Sequence, residues 1–160
     1  MQKARLYATA HGVYSFTVNG KLGTDAFLMP GWTNYKKRLQ YQTYDITALL
    51  EAENDLSVTV ANGWYSGYFG FGGERHNYGQ ENALLAMVVL TYEDGTETIL
   101  TTDETWHYTT GEVRSAEIYM GETIDRTFES PESQPVQCVD HPKDVLVAQE
   151  NDYVRITKRF

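Results

Sequence analysis

Residues 13 to 20 read VYSFTVNG, an alternation of apolar and polar side chains that ends in Asn19-Gly20. Alternation with a period of two is typical of a strand with one buried face. Asn-Gly is the strongest short signal for a tight hairpin turn. The same alternation recurs over residues 56 to 60. These two segments predict half-buried strands that belong to antiparallel sheets.

The rest of the chain repeats this signal at short intervals. Residues 83 to 90 are continuously apolar, which is typical of a strand covered on both faces, although a helix is the alternative that such a run leaves open. Residues 93 to 96 read EDGT and predict a turn into a strand over residues 97 to 102. Further strands are predicted over residues 106–109, 116–120, 123–128 and 153–156.

Helical signals are almost absent from the sequence. Asp45 is placed to cap one turn over residues 46 to 50, which ends at Glu53-Asn54-Asp55. Short strands at regular spacing with so little helix favour an antiparallel β-sandwich over a parallel α/β sheet. The sequence therefore predicts an all-β sandwich with one short helix.

The chain has 160 residues, a length that fits one domain. Residues 129 to 135 form a polar connector that contains two prolines, which places a domain edge there. We therefore expect a sandwich domain over residues 1–133. Residues 134–160, which end in strand-like sequence, are expected to be a connector and a first strand leading towards a further domain.

Charge and hydropathy exclude several classes of partner. The formal net charge is −9, and residues 36 to 38 are the only tight basic cluster, so a nucleic-acid partner is not expected. The longest apolar run has eight residues, whereas a membrane helix needs about 20. The N-terminus shows no signal region, from which we expect a cytoplasmic location. Cys138 is the single cysteine and has no zinc-site spacing to a histidine.

Two segments interrupt the strands and concentrate the aromatic residues. Residues 30–35 read PGWTNY, and residues 62–79 read NGWYSGYFGFGGERHNYG, with six glycines and six aromatics. Sugars are bound by rings that stack on their C–H faces and by polar groups that bond their hydroxyls. The candidate carbohydrate-binding or docking residues are therefore Trp32, Tyr35, Asn62, Trp64, Tyr65, Arg75 and Tyr78. The alternative is that rings such as Trp64 and Phe71 plug the end of the sandwich.

No catalytic or metal site is predicted from the residues. Glycoside hydrolysis needs two carboxylates at a set separation, but alternation places Glu117 and Glu122 on opposite faces of a strand unless Gly121 forms a bulge. These two and Asp125 are expected to be solvated. No calcium-loop, phosphate-loop or nucleophile motif occurs, so no cofactor is expected. Calcium binding is an alternative that no sequence motif supports.

Four segments taken together resemble the N-terminal β-sandwich domain of bacterial alpha-L-rhamnosidases of glycoside hydrolase family seventy-eight. They match in order and spacing across about residues 4 to 130. The segments are ARLYATAHGVYSFTVNGKLG (4–23), LMPGWTNYKKRLQYQTYDITALL (28–50), NGWYSGYFGFGGERHNYG (62–79) and EIYMGETIDRT (117–127).

This resemblance implies a jelly-roll or galactose-binding-domain-like sandwich that is not itself an enzyme. In the family, hydrolysis with inversion belongs to a downstream α-helical toroid that carries acidic catalytic residues. Some members use a domain of this type to bind terminal rhamnose with the help of calcium. We therefore expect a non-catalytic accessory domain that recognises an L-rhamnose-containing glycoside, docks to the toroid, or does both. The alternative is a purely structural interdomain module without sugar binding.

Overall fold

A computed structural model describes residues 2–70 and 72–158 and shows a chain built mainly from strands. Within these ranges the strands are β1 (Lys3–His11), β2 (Val13–Val18), β3 (Lys21–Leu22), β4 (Leu39–Asp45), β5 (Leu56–Ala61), β6 (Ala83–Thr91), β7 (Glu97–Thr101), β8 (His107–Tyr108), β9 (Val113–Glu117), β10 (Gly121–Ile124), β11 (Gln134–Pro135) and β12 (Leu146–Ala148). A 3₁₀ helix spans Thr47–Leu49, and a short helix, α1, spans Gly63–Ser66.

Two larger sheets form a sandwich. The long sheet has the strand order β12-β4-β1-β6-β7, and the short sheet has the order β3-β2-β5. Their strand pairs are antiparallel except for β12, which runs parallel to β4. Two further pairs, β9 with β10 and β8 with β11, lie outside these sheets. The predicted all-β antiparallel sandwich is confirmed.

The core lies between the inward faces of the two sheets. Tyr14, Phe16 and Val18 of β2 are at most 5% exposed and belong to one apolar cluster with Leu6 of β1 and Ile46. The polar side chains that alternate with them on β2 are less buried. The period-two alternation therefore assigned the buried face of this strand correctly.

The hairpin predicted at Asn19-Gly20 is also present. Asn19 has φ 52° and Gly20 has φ 71°, and the flanking residues Val18 and Lys21 are paired across β2 and β3. Two consecutive positive φ angles are the property of a type I′ turn, which Asn-Gly adopts readily.

Strand β4 was not among the predicted strands, because two of its inward-facing residues are glutamines. Gln40 is 3% exposed and Gln42 is fully buried. The Tyr14 hydroxyl donates a hydrogen bond to Gln42 Oε1 at 2.6 Å, and Gln42 Nε2 donates to Gln149 Oε1 at 2.7 Å. Burial raises the pKa of Tyr14 well above its usual value, so this hydroxyl stays protonated.

Four further strands differ from their predicted ranges. The one expected over residues 123–128 is β10, which spans Gly121–Ile124. The strand expected over residues 116–120 is β9, which ends at Glu117 and turns into β10. Strand β8 is limited to two residues, and residues 153–156 contribute only a bridge between Val154 and Phe27. Residues 83–90 do form a strand, β6, but most of its side chains are only half-buried, so the expectation of cover on both faces was wrong.

The turn predicted after Asp45 is confirmed in position. The Thr47 N–H donates a hydrogen bond to Asp45 Oδ1 at 3.0 Å, at the start of the 3₁₀ helix. In the part of the chain that the structure describes, no helix has both the length and the apolar character needed to cross a bilayer.

The described part of the tail is attached to the sandwich. Strand β12 pairs with β4, and Arg155 Nε donates a hydrogen bond to Asp25 Oδ1 at 2.8 Å. Residues 146–148 thereby complete one edge of the long sheet. The division of the chain at residue 133, with residues 134–160 leading towards a further domain, stays a prediction.

Candidate functional site

Loops 30–35 and 62–79 meet and bring four aromatic side chains together, which we call the aromatic surface: Trp32, Trp64, Phe69 and Tyr78. The Trp32 and Trp64 ring centroids are 6.4 Å apart with an interplanar angle of 22°. Phe69 contacts Trp32 edge-on at 5.0 Å. Trp32 Nε1 donates a hydrogen bond to the Tyr78 hydroxyl at 3.3 Å. Trp32 is 53% exposed, so it is open to solvent although these neighbours hold its ring.

Tyr35 and Tyr65 lie beneath this surface. They are 4% and 7% exposed, and their ring centroids are 5.7 Å apart. Tyr35 also contacts Tyr78 edge-on at 4.8 Å. Burial raises the pKa of both buried hydroxyls, and the Tyr35 hydroxyl donates to the Gly31 carbonyl at 2.7 Å. Both side chains support the aromatic surface and are closed to a ligand.

His11 continues the aromatic packing towards the tail. Its ring stacks on Tyr65 with centroids 4.2 Å apart, and the His141 ring meets it edge-on at 4.5 Å. Burial, with a smaller contribution from His141, lowers the pKa of His11 to about 4. His11 is therefore neutral at physiological pH.

Asn62 and Arg75 are directed towards Glu117 on β9. The Glu117 carboxylate accepts hydrogen bonds from Asn62 Nδ2 at 2.9 Å, from the Tyr68 backbone N–H at 3.1 Å and from an Arg75 Nη at 3.3 Å. Its side chain is only 7% exposed. The expectation that Glu117 is solvated was wrong, because its three donors come from a loop that is distant in sequence.

Both the nitrogen and the oxygen of the Asn62 side-chain amide are hydrogen-bonded within the fold. Its oxygen accepts hydrogen bonds from Ser66 Oγ at 3.1 Å and from Asn82 Nδ2 at 3.2 Å. The Arg75 guanidinium also lies over the Tyr68 ring, 4.7 Å from its centroid. Asn62 and Arg75 thus tie the glycine-rich loop to β9. Phe71, the other ring considered as a plug for the sandwich, lies outside the described residues.

Of the seven predicted site residues, three meet at the exposed aromatic surface: Trp32, Trp64 and Tyr78. Tyr35 and Tyr65 lie below it, and Asn62 and Arg75 lie beside it on Glu117. The assignment of these residues to carbohydrate binding or docking stays a prediction.

A cavity of about 170 Å³ opens beside Trp32 and Trp64. Its lining includes four polar residues, Gln40 from β4 and three from the tail: Gln149, Asn151 and Asp152. None of the four was predicted from the sequence, since none lies in an aromatic or glycine-rich segment. Only the chain fold brings β4 and the tail next to loop 30–35.

The described carboxylates form no metal centre. No three His, Cys, Asp or Glu side chains within residues 2–70 and 72–158 are close enough to share an ion. Asp125, near Glu122 in sequence, accepts hydrogen bonds from the Thr127 N–H and hydroxyl in its own turn. These residues do not fit the carboxylate cluster that calcium sites use.

Residues 1–158 match the family described as "Alpha-L-rhamnosidase N-terminal domain". The chain belongs to this family. An alpha-L-rhamnosidase of Streptomyces avermitilis is 45% identical over 132 residues, and one of Formosa agariphila is 41% identical over 130 residues. These stretches are 81% and 80% of this chain but 13% and 14% of the two relatives, so the chain spans only a small part of their length.

Solved alpha-L-rhamnosidase structures share the fold. The Streptomyces avermitilis enzyme, solved in complex with L-rhamnose, superposes with a TM-score of 0.88 at 39% identity, covering 98% of this chain and 16% of that one. The native enzyme from Aspergillus terreus superposes with a TM-score of 0.84 at 36% identity, covering 91% and 18%. The predicted family and its β-sandwich are confirmed.

Proposed function

We propose that this chain is a non-catalytic accessory domain of a larger alpha-L-rhamnosidase, and that its main task is to dock against the rest of that enzyme. The observation that carries the proposal is the open edge of the long sheet. All five residues of β7 are exposed, including Ile99 at 57% and Leu100 at 55%. Successive residues of a strand face opposite sides, so both faces of the sheet are uncovered at this edge.

The total surface supports the same proposal. The described chain exposes 10859 Å², whereas a compact monomer of 18.2 kDa exposes about 8100 Å². The accessible surface of the described chain thus exceeds that of a compact monomer of the same mass by about a third. Interfaces between domains of one chain bury about 600–1,500 Å², which this surplus is large enough to supply.

Docking is tested by mixing this domain with the remaining part of its parent enzyme and measuring association by calorimetry. Ile99→Asp and Leu100→Asp each place a charge on the open edge, so we expect at least about tenfold weaker association. Thr59→Asp is the matched control, because Thr59 is exposed on β5 of the other sheet. Equal association of all variants would remove β7 from the interface.

Carbohydrate recognition is a second proposed function, supported by the exposed Trp32 ring. Its neighbours Trp64 and Phe69 and its bond to Tyr78 hold the ring in one orientation. A fixed, half-exposed indole gives a flat apolar face on which sugar C–H groups stack. Because the Streptomyces avermitilis relative was solved with L-rhamnose, we propose a rhamnoside as the ligand class.

This recognition is tested by titrating labelled protein with L-rhamnose, with and without calcium. We expect shifts of the Trp32 indole signal at millimolar sugar and their loss in Trp32→Ala. Tyr108→Ala serves as the control, because Tyr108 is 55% exposed on β8, outside the aromatic surface. A spectrum unchanged by the sugar would leave docking as the proposed function.

We propose further that hydrolysis, with inversion, belongs to a separate α-helical part of the parent enzyme. The carboxylates of Glu117 and Asp125 support this, because both already accept hydrogen bonds from other residues of the domain. The domain alone is expected to release no nitrophenol from an aryl rhamnoside. Sustained release that Glu122→Gln abolishes would overturn the proposal.

A further inference from the structure

We infer that the outward face of the long sheet beside β7 docks an apolar surface of the parent enzyme that is rimmed by Lys and Arg side chains. This contact rests on the proposed docking and adds to it the face used and the chemistry of the partner. It is formed by the outer patch, which we define as Leu85, Met87 and Val89 of β6 together with Ile99 of β7.

The outer patch lies on the side of the long sheet that faces away from the core. Ala86 is 3% exposed, and Val88 packs against the core cluster. Successive residues of a strand point to opposite faces, so the patch residues of β6, which alternate with these two, point outward. Ile99 is the register partner of Val89 and therefore lies on the same face.

The side chains of this face differ from those of strands that meet solvent elsewhere in the chain. The outward positions of β2 and β5 carry small polar side chains such as Ser15 and Thr59, both of which are exposed. The outward positions of β6 are apolar, and a continuously apolar strand is typical of a sheet covered on both faces. Yet Leu85 is 38% and Ile99 is 57% exposed. The 160-residue chain thus leaves open a face that its sequence is suited to bury.

The charge around the outer patch is strongly negative. Residues 76–113, which contain β6, β7 and β8, include seven Asp or Glu residues and no Lys or Arg. With histidine counted neutral, this segment carries −7 of the net charge of −9. Five of its acidic residues lie at the two ends of β7: Glu93, Asp94 and Glu97 before or at its start, and Asp103 and Glu104 after its end. Lys and Arg side chains on a partner complement such a rim.

The basic residues of the neighbouring strand β1 do not remove this asymmetry. Lys3 and Arg5 also lie on the outward face, since they alternate with the buried Ala4 and Leu6. Arg5 is the register partner of Asp45 on β4, so its charge is offset on that side of the sheet. The acidic rim therefore belongs to the β7 side of the patch, where the cations of the partner are expected.

A second copy of this chain is a poor partner for the outer patch. In a two-fold symmetric dimer the same patch meets itself, so the acidic ends of β7 would meet like charges and repel. The rest of a longer chain is the better source of a basic, apolar surface. Two alpha-L-rhamnosidase relatives are matched over only 13% and 14% of their length.

The apolar part of the contact is tested by calorimetric association of the 160-residue chain with the remaining part of its parent enzyme. Val89→Thr keeps nearly the same shape but brings a hydroxyl into the contact, and we expect at least about fivefold weaker association. Thr59→Val is the matched control, because it makes the reverse change at an exposed position of β5 in the other sheet. We expect it to associate as the wild type does.

The charged rim is tested in the same assay at low and high salt. Glu93→Lys is expected to weaken association at least about threefold at about 0.05 M salt, and the difference should disappear at about 1 M salt. Glu53→Lys changes the net charge equally at an exposed position before β5. This control is expected to leave the association unchanged at both salt concentrations.

The outcomes separate this contact from the proposed docking. If Leu100→Asp weakens association while Val89→Thr and Glu93→Lys associate as the wild type does, docking stands and the outer patch is overturned as its site. Equal effects of Glu93→Lys and Glu53→Lys overturn the basic partner. A dimer of the 160-residue chain in analytical ultracentrifugation that Val89→Thr dissociates makes a second copy the occupant and also overturns it. If the wild type does not associate at all, the proposed docking fails together with this contact.

Discussion

Glu117 is the residue that joins the glycine-rich loop to the β9–β10 hairpin. Its carboxylate accepts three hydrogen bonds from residues 42 to 55 positions away, and it is nearly closed to solvent. An added Cβ at Gly67 would collide with its Oε2, so the loop backbone must approach the carboxylate closely. This carboxylate therefore ties the glycine-rich loop to β9 at three points.

Glu117→Ala is expected to lower the free energy of unfolding by about 1–3 kcal/mol, because it leaves the Asn62 amide and the Tyr68 N–H without their acceptor. Glu117→Gln keeps one acceptor oxygen and is expected to cost less. Urea unfolding followed by circular dichroism measures both. The exposed Glu122→Ala is the control, expected within about 0.5 kcal/mol of the wild type. An equally small effect of Glu117→Ala would contradict the role given to this carboxylate.

His11 makes the stability depend on pH. Burial lowers its pKa to about 4 in the folded chain, against an ordinary value of 6.5. Between these two values the unfolded chain binds a proton that the folded chain does not bind. The contribution of His11 to stability is therefore complete above about pH 6.5 and is lost as the pH falls.

His11→Phe is expected to keep the stacking on Tyr65 and to remove this pH dependence. The measurement is the free energy of unfolding near pH 7.5 and near pH 5 for both proteins. The wild type should lose more stability than His11→Phe on acidification. An identical loss in both proteins, or a His11 pKa near 6.5 by NMR, would refute the burial argument.

At the level of the elements, one glycine connects the two sheets. Gly12 separates β1 of the long sheet from β2 of the short sheet and has φ 138°. A side chain there would also collide with the Ala61 carbonyl oxygen on β5. Gly20 in the β2–β3 turn has φ 71° but no atom near the position of a Cβ.

Alanine substitutions at these two glycines distinguish the cost of a strained backbone from the cost of a steric collision. Gly20→Ala is expected to cost about 1–2 kcal/mol, the strain of a left-handed conformation. Gly12→Ala adds the collision with Ala61 and is expected to cost more, which urea unfolding of the two variants measures. A smaller effect at Gly12 than at Gly20 would show that the end of β5 can shift away from this junction.

The strands that the sequence predicts well are those with apolar inward faces. β2 and β5 alternate regularly, and their turn residues agree with them. β4 could not be recognised, because Gln40 and Gln42 face inward and find their partners in Tyr14, Gln149 and Glu150. Those partners come together only after the chain has folded.

The candidate site, like the strands, was only partly predictable from the sequence. Clustered rings in two loops correctly indicated that Trp32 and Trp64 come together. Composition could not reveal that Glu117 engages Asn62 and Arg75, nor that Gln40 and Asp152 line one cavity. These contacts join residues far apart in the chain, which no local pattern encodes.

At the scale of the whole molecule, the tail is expected to stabilise the sandwich. Removal of residues 144–160 deletes β12 from the edge of the long sheet and takes Gln149 from the buried Gln42. It also removes Tyr153 from the core cluster. We expect a loss of at least about 2 kcal/mol in urea unfolding. Unchanged stability would show that residues 144–160 belong with a neighbouring domain.

We propose that the rest of a larger enzyme covers the open edge of the long sheet. Amide hydrogen exchange, compared between this chain alone and its parent enzyme, tests it directly. The amides of β7 are expected to exchange markedly more slowly in the parent enzyme, while those of the Asn19-Gly20 turn are expected to exchange alike in both proteins. Equal exchange of β7 in the two proteins would contradict it.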